Sequence, residues 1–220
     1  QSYFIHISEI NYARKNLFRM LDAFKKAREQ KIPQKLILVG KTLPLISKKI
    51  KEYKDVIQLG FVPEDDLISL IQGSDAMVLP SIHEGFGLPL LEAMACSVPS
   101  ITMNKHAPPE VVGDSGLLVD PYNIDDIAAM MVKINKNNIL KTKSAKAYEL
   151  SQKYSWEKHA TQILALYSQY AHTSKDWNFY DSFELAAYRT LATVVALFAE
   201  EKKDVLSQSM LNFDYQKMIE

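Results

Sequence analysis

The sequence predicts an α/β protein built on a doubly wound parallel sheet and followed by a helical carboxy-terminal extension. Short apolar runs typical of strands alternate along the chain with amphipathic helical segments. Most of these runs are continuously apolar, as strands are when helices cover both faces of their sheet. Strands interleaved with helices of about 10 to 15 residues imply right-handed crossovers between parallel neighbours, which is the doubly wound arrangement.

The elements follow in order from the beginning of the chain. The predicted strands cover residues 3–7, 35–40, 56–59, 76–80, 99–103 and 116–119. The predicted helices cover about 16–29, 44–51 and 64–72, and a further helix follows the fourth strand. Sheets of this kind bind ligands at the carboxyl ends of their strands. The turn at 81–88, which follows the fourth strand, is therefore the first candidate for a binding site.

The composition excludes several classes of protein. The 26 basic and 26 acidic side chains balance, so no global field favours DNA, RNA or an anionic membrane, and any phosphate must be held locally. The single cysteine, Cys96, cannot form an internal disulfide, and no stretch approaches the roughly 18 apolar residues that cross a bilayer. A cytoplasmic location fits best. The start at Gln1, without an initiator Met, suggests one domain of a longer protein.

The stretch HEGFGLPLLEAMACSVPS, residues 83–100, is the most informative part of the chain. Pro89 suits the first turn of a helix, so the helix is predicted to begin near Gly87 or Leu88. Gly85 and Gly87 carry no Cβ and let the backbone approach a ligand closely. The amides at this helix start lack intrahelical acceptors and lie at the positive end of the helix dipole. They predict an anion site, most naturally for phosphate.

Two carboxylates flank this turn. Glu84 lies before it and Glu92 lies about one helical turn beyond it, which places them of order 10 Å apart. Two carboxylates at this separation are suited to accept hydrogen bonds from hydroxyls on different parts of one elongated ligand, with a phosphate group bound between them. The alternative is an ordinary helix entry in which Glu92 is solvated.

Residues 84–95, EGFGLPLLEAMA, preceded by Pro80 and Ser81, resemble the signature of the retaining glycosyltransferases of family 4 (glycosyl transferases group 1), in which two glutamates are separated by seven residues. The other matching segments, in the family's order, are 14–16, 59–62, 65–67, 74–76 and 109–121. The resemblance extends from residue 3 to about residue 172. It implies the carboxy-terminal, nucleotide-sugar-binding half of a GT-B enzyme, which is built from two Rossmann-like halves.

The resemblance also implies a role for each matching position. Glu84 would contact hydroxyls of the donor sugar, and Glu92 would contact those of the ribose. Lys15, with Arg14 as a helper, would neutralise the pyrophosphate as it leaves. The implied backbone contacts are Phe86, Gly87 and Leu88 for the phosphates, and Gly60, Phe61 and Val62 for the base, while Gly85 lets the backbone approach the substrate.

The implied function is transfer of a sugar from a nucleotide diphosphate sugar to a glycan or lipid-linked acceptor, with retention of the anomeric configuration. The segments 14–16 and 83–89 are similar to those of mannosyltransferases of polysaccharide assembly, which suggests mannose. No metal or other cofactor is expected, because the sequence has no Asp-x-Asp constellation and no His/Cys cluster with ligand spacing. The expected location is cytoplasmic, including a peripheral position at the inner face of the membrane.

The implied partner is the amino-terminal half of the enzyme. A GT-B active site lies between two halves and this chain has one, so it is expected to bind nucleotide weakly and to have little transferase activity alone. The alternative is a non-catalytic nucleotide-binding or assembly module that kept the fold.

Two positions depart from the family pattern. Many relatives carry Gly-Arg after the first strand, whereas this chain reads ISEI at 7–10, and a Glu9 that faced the site would repel phosphate. Ser97 replaces a glycine that is common in the family, and this change is expected to be neutral.

Four further features complete the sequence predictions. His83 either faces the donor or is a hydrogen-bonded spectator, and Glu110 either borders the sugar pocket or begins a helix. Residues 1–173 are predicted to form the nucleotide-sugar-binding domain. Residues 174–220 form the helical extension, which either packs on the same domain or docks on the absent half, a partner or a membrane.

Overall fold

The structure of the chain is a computed structural model, and it describes residues 2–9, 13–136 and 138–171. The chain divides into two compact units, Gln1–His159 and Ala160–Glu220. The first unit contains the whole sheet. The described part of the second unit is the end of the last helix, and the predicted extension at 174–220 lies outside the described residues.

Six parallel strands form a single sheet in the order β3-β2-β1-β4-β5-β6. The strands are β1 (Tyr3–Ile7), β2 (Lys35–Val39), β3 (Val56–Gly60), β4 (Ala76–Leu79), β5 (Ser100–Met103) and β6 (Leu117–Val119). The predicted doubly wound parallel sheet is confirmed, and each strand differs from its predicted range by at most one residue.

Helices follow the strands in the described part of the chain. They are α1 (Leu17–Glu29), α2 (Pro44–Ile50), α3 (Glu64–Gln72), α4 (Leu88–Ala95), α5 (Pro108–Val112), α6 (Ile124–Lys133), α7 (Ile139–Ser151) and α8 (Trp156–Ala171). Two short 3-10 helices, Ala13–Lys15 and Gly113–Ser115, precede α1 and β6. The sequence did not predict α6, α7 or α8. No helix in the described ranges combines the length and the apolar character needed to cross a bilayer.

The order in which strands are added to the sheet reverses between β1 and β4, although all the strands are parallel. The chain runs outward from β1 through β2 and β3, then crosses back so that β4 pairs with the other side of β1, with Ile5 opposite Met77. The carboxyl ends of β1 and β4 therefore lie side by side. In open α/β sheets this reversal is the point at which ligands bind.

Each face of the sheet has its own core. Phe4 of β1 packs on one face with Phe24 of α1, while the next residue, Ile5, packs on the opposite face with Leu90 of α4. This alternation follows from the two-residue period of a strand, and it explains why the central strands are apolar throughout.

The edge strand β3 departs from this pattern. Ile57 and Leu59 are 38% and 43% exposed, so one face of β3 is not covered by the described helices. Gln58 interrupts the apolar run of β3, and a strand at the edge of a sheet has fewer neighbours to bury it.

The end of α4 explains the role of Ser97. The Ser97 N–H donates to the Met94 carbonyl at 2.9 Å and the Val98 N–H donates to the Ala93 carbonyl at 2.8 Å, which is the Schellman arrangement. Ser97 adopts the left-handed conformation that this arrangement requires, with φ of 62°. This conformation favours glycine over serine. The expectation that serine is neutral here stays a prediction.

We expect Ser97→Gly to raise the free energy of unfolding by about 0.5–1 kcal/mol, because relief of the left-handed strain outweighs the extra entropy of glycine in the unfolded chain. Urea denaturation monitored by circular dichroism measures the change. Ser97→Ala is the matched control, since it keeps the Cβ and should give no gain. An equal effect of both substitutions would contradict this explanation.

Candidate functional site

The candidate site forms where the segments after β1 and β4 cross. The 3-10 helix Ala13–Lys15 leads from β1 into α1, and residues 80–87 lead from β4 into α4. The Ile82 N–H donates to the Arg14 carbonyl at 2.7 Å, which fixes one segment against the other. The two stretches that the family resemblance singled out therefore meet in space.

An ion pair lies at this crossing. The Lys15 Nζ donates to the Glu84 Oε1 at 2.7 Å, and the Ser81 hydroxyl donates to the same oxygen at 2.7 Å. The two charged side chains are only 12% and 9% exposed, so the pair is poorly screened by solvent. Among the residues that the structure describes, none donates to Oε2 of Glu84, so this oxygen is available to accept a hydrogen bond from a ligand.

The Asn16 side chain joins the start of α1 to the segments that follow β4 and β6. It is buried, and its Nδ2 donates to the Pro80 carbonyl at 2.9 Å and to the Pro121 carbonyl at 2.6 Å. These two carbonyls follow β4 and β6, while Asn16 itself follows β1. Its backbone is left-handed, with φ of 59°, a conformation that asparagine tolerates better than most residues. The sequence placed Asn16 in a basic motif but gave no signal of this structural role.

His6 lies fully buried in β1, beneath the ion pair. Its Nδ1 is 2.8 Å from the Val78 carbonyl and its Nε2 is 2.7 Å from the Ser8 Oγ. Because a carbonyl can only accept, Nδ1 carries the proton and Nε2 accepts from the Ser8 hydroxyl. Burial lowers the pKa of His6 to about 4, and the positive charge of Lys15 acts in the same direction. The imidazole is therefore neutral. A histidine inside an apolar run was the only sequence signal for it.

The turn before α4 has the geometry of an anion site. The helix begins at Leu88, with Gly87 as its N-cap, which confirms the predicted start. Gly87 has φ of 94°, a left-handed conformation in which any other residue would be strained. Within the described part of the chain, the amide N–H groups of residues 85–88 donate to no acceptor. They remain available to an anion at the positive end of the helix.

Glu92 is in a different environment from Glu84. It is partly exposed on α4, and burial raises its pKa, with the negative charge of Glu64 on α3 acting in the same direction. Glu84 is thus paired with the positive charge of Lys15, whereas Glu92 is repelled by the negative charge of Glu64. The predicted arrangement of two carboxylates around one elongated ligand stays a prediction.

The loop predicted to hold a base lies at the same edge of the sheet. The Gly40 N–H donates to the Gly60 carbonyl at 2.7 Å, which joins the ends of β2 and β3. A Cβ on Gly40 would lie 1.8 Å from the Ser8 carbonyl oxygen, so the end of β2 also packs directly on the end of β1. Phe61 is 74% exposed and Val62 is half-buried.

The remaining predicted residues lie around the site or at its margin. The His83 ring is exposed and packs edge-on against the His106 ring, with centroids 4.4 Å apart. Phe86 makes a similar contact with Tyr154 at 5.9 Å. Glu110 lies exposed in the first turn of α5, as in the helix-start interpretation. In the described ranges, no group of three or more His, Cys, Asp or Glu side chains could hold a metal ion.

Comparison with known proteins gives a consistent result. The family model described as "Glycosyl transferases group 1" matches residues 1–169. O-antigen chain mannosyltransferase B of Escherichia coli is 40% identical over 110 residues, which cover 50% of this chain and 29% of that protein. This chain therefore spans less than a third of that relative's length.

Two solved structures are also similar. Sucrose-phosphate synthase of Thermosynechococcus elongatus superposes with a TM-score of 0.64 at 26% identity, over 78% of this chain and 46% of the synthase. The C-terminal domain of a glycosyl transferase group 1 family protein of Francisella tularensis superposes with a TM-score of 0.59 at 26% identity, over 69% of this chain and 85% of that domain.

We expect Asn16→Ala to lower the free energy of unfolding by about 2–4 kcal/mol, because it leaves two buried carbonyls without donors in a left-handed position. Asn138→Ala is the matched control, since Asn138 has φ of 58° but is exposed and makes no side-chain cap bond. That change should cost less than about 1 kcal/mol. Equal losses in urea denaturation would show that Asn16 contributes only its backbone conformation.

The neutral state of His6 predicts a dependence of stability on pH. The folded pKa is about 4 against an ordinary value of 6.5, so the unfolded chain binds a proton that the folded chain excludes. The free energy of unfolding should therefore fall by up to about 3 kcal/mol as the pH falls from 6.5 to 4. Urea denaturation across this range, compared with His6→Gln, isolates the contribution. Identical pH slopes in both proteins would contradict the assignment.

Proposed function

Because this chain belongs to the glycosyl transferases group 1 family, we propose that it is the donor-binding half of a retaining glycosyltransferase. It moves a sugar from a nucleotide diphosphate sugar to a glycan or lipid-linked acceptor. The observation that carries this proposal is the Lys15–Glu84 ion pair beside the unpaired amides of residues 85–88, at the reversal point of the sheet. The likeness to an O-antigen mannosyltransferase makes mannose the sugar that we propose first.

The diphosphate is the group that these residues are suited to stabilise. Breaking the bond between the anomeric carbon and the diphosphate leaves negative charge on the departing nucleotide. Lys15, with help from Arg14, neutralises this charge, and the amides of residues 86–88 donate to the phosphate oxygens. Donors and cations fixed in advance stabilise a charge that develops in the transition state, because they need no reorganisation when it appears.

The sugar lies against Glu84 in this proposal. Oε1 is held by Lys15 and Ser81, so the side chain presents Oε2 to hydroxyls of the sugar. The same ammonium group therefore orients the carboxylate that binds the sugar and lies close to the phosphate that leaves. A single ion pair therefore aligns both the sugar and the phosphate that the breaking bond connects.

The nucleoside extends along the carboxyl edge of the sheet. Glu92 accepts from the ribose hydroxyls, and the loop at 60–62 contacts the base through its backbone. His83 lies beside Glu84 and lines the sugar end. No metal is needed in this proposal, since Lys15 and the helix amides supply the positive charge.

The acceptor is bound by the amino-terminal half of the enzyme. This chain matches a lone C-terminal domain over 85% of that domain's length and covers only 29% of a curated mannosyltransferase. Both values support its assignment as a donor-binding half. Alone, it binds nucleotide sugar but transfers little. A cytoplasmic location, including a peripheral position at the membrane, is part of the same proposal.

Isothermal titration of the 220-residue chain with GDP, UDP, GDP-mannose and UDP-glucose tests this function. We expect binding of one nucleotide and tighter binding of its sugar conjugate. Lys15→Met should weaken both by about tenfold or more, because it removes a charge-assisted contact to phosphate. Glu84→Gln should weaken the sugar conjugate more than the nucleotide.

Lys48→Met is the matched control, since it removes an exposed lysine of α2 that lies outside the proposed site. Thermal unfolding of each variant separates a loss of binding from a loss of folding. If the wild-type chain binds none of the four ligands, or if Lys15→Met binds as well as Lys48→Met, the proposed donor site is wrong.

A further inference from the structure

The carboxyl end of β1 holds a polar pair that the proposed function does not use. His6 is fully buried and Ser8, two residues later, is half-buried at the point where β1 meets the site. The Ser8 N–H donates to the Val39 carbonyl at 3.0 Å, and Gly40 packs against the Ser8 carbonyl. The backbone of Ser8 is therefore fixed from two sides.

The direction of the Ser8 hydroxyl follows from its partners. Val78 offers a carbonyl, which can only accept, so the His6 Nδ1 must donate to it. The neutral ring then has only an acceptor at Nε2, and the Ser8 O–H donates to it at 2.7 Å. The single hydroxyl hydrogen of Ser8 is thus occupied beneath the site.

What Ser8 presents to a ligand is therefore a pair of oxygen lone pairs. Lone pairs repel the oxygens of a phosphate, which are themselves acceptors, and they attract the hydrogen of a hydroxyl. Glu9, the next residue, is exposed and is also an acceptor when ionised. The end of β1 is thus complementary to a hydroxyl-bearing group and not to the diphosphate.

The pair formed by His6 and Ser8 is linked to the chain segment that carries Glu84, the residue proposed for the sugar. The His6 Nδ1 donates to the Val78 carbonyl of β4, and Ser81, three residues further along the same chain segment, donates to Glu84. Ser8 Oγ lies 2.7 Å from Nε2 of the same imidazole ring.

We propose that Ser8, oriented by His6, is a subsite that accepts a hydrogen bond from a hydroxyl of the donor sugar. This proposal rests on the proposed function and deepens it, because it adds a residue that recognises the sugar on the opposite side of the reversal point from Glu84. His6 acts as a positioning residue, since it touches Ser8 and not the ligand.

The imidazole tautomer tests the proposal without any ligand. Long-range proton–nitrogen NMR of the full chain near neutral pH should show a proton on Nδ1 of His6 and none on Nε2. A proton on Nε2 would require Ser8 to accept from His6, which would turn the serine hydrogen toward the ligand. That result would overturn the proposal whatever the ligand titrations show.

Two substitutions at His6 separate positioning from simple stability. Asn at position 6 keeps an N–H near the place of Nδ1 and loses the acceptor for Ser8. Gln places a side-chain oxygen near Nε2 and loses the bond to Val78. We expect His6→Asn to behave like Ser8→Ala in binding, and His6→Gln to bind like the wild type.

The readout is the ratio between the affinity for the nucleotide sugar and the affinity for the nucleoside diphosphate that binds the wild type. Ser8→Ala and His6→Asn should lower this ratio by about 3- to 10-fold, the value of a single hydrogen bond, and leave the nucleoside diphosphate unchanged. Ser74→Ala is the matched control, since its hydroxyl is buried and donates to the Ile71 carbonyl at 2.7 Å away from the site.

The outcomes distinguish this proposal from the proposed function. If the wild type binds the nucleotide sugar and Ser8→Ala keeps the same ratio, the subsite is wrong and the donor site stands. An equal loss for both ligands would assign Ser8 to the nucleotide and also overturn the subsite. If the wild type binds no nucleotide, the donor site and this subsite fall together.

Discussion

The close approach of the carboxyl ends of β1 and β4 is the constraint on which the whole site depends. Lys15 and Glu84 are 69 residues apart in the chain, and only the crossover from β3 back to β4 makes them neighbours. A buried charge without a partner is strongly destabilising. A change that separated the two strand ends would leave both charges without a partner. Folding of the sheet and assembly of the site are therefore the same event.

The buried polar groups near the ion pair form hydrogen bonds in which each donor hydrogen has one defined acceptor. The neutral His6 lies between a carbonyl and a hydroxyl, and Asn16 donates to two further carbonyls nearby. Buried polar groups contribute to a unique structure only when each has a partner, and here the partners come from three different strand ends. Among the residues that the structure describes, Oε2 of Glu84 and the amides of residues 85–88 have no hydrogen-bond partner.

Sequence reasoning predicted the sheet, its strands and the start of α4, because these depend on local periodicity and on the conformational preferences of proline and glycine. It also selected Lys15 and Glu84, through the resemblance to a family. It did not predict that these two side chains pair, nor the roles of His6 and Asn16, because every partner except Ser8 lies between 64 and 105 residues away and leaves no local pattern. The left-handed conformation of Ser97 also left no local signal, since a left-handed residue after a helix is recognisable in a sequence only when it is glycine.

The two bonds of Asn16 have a consequence for how this site can vary. Both acceptors are main-chain carbonyls, of residues 80 and 121, so the bonds themselves do not depend on which side chains those positions carry. The requirement for this three-way junction therefore falls on a single side chain. Side chains at positions 80 and 121 can therefore change while the junction persists, because the acceptors of both bonds belong to the main chain.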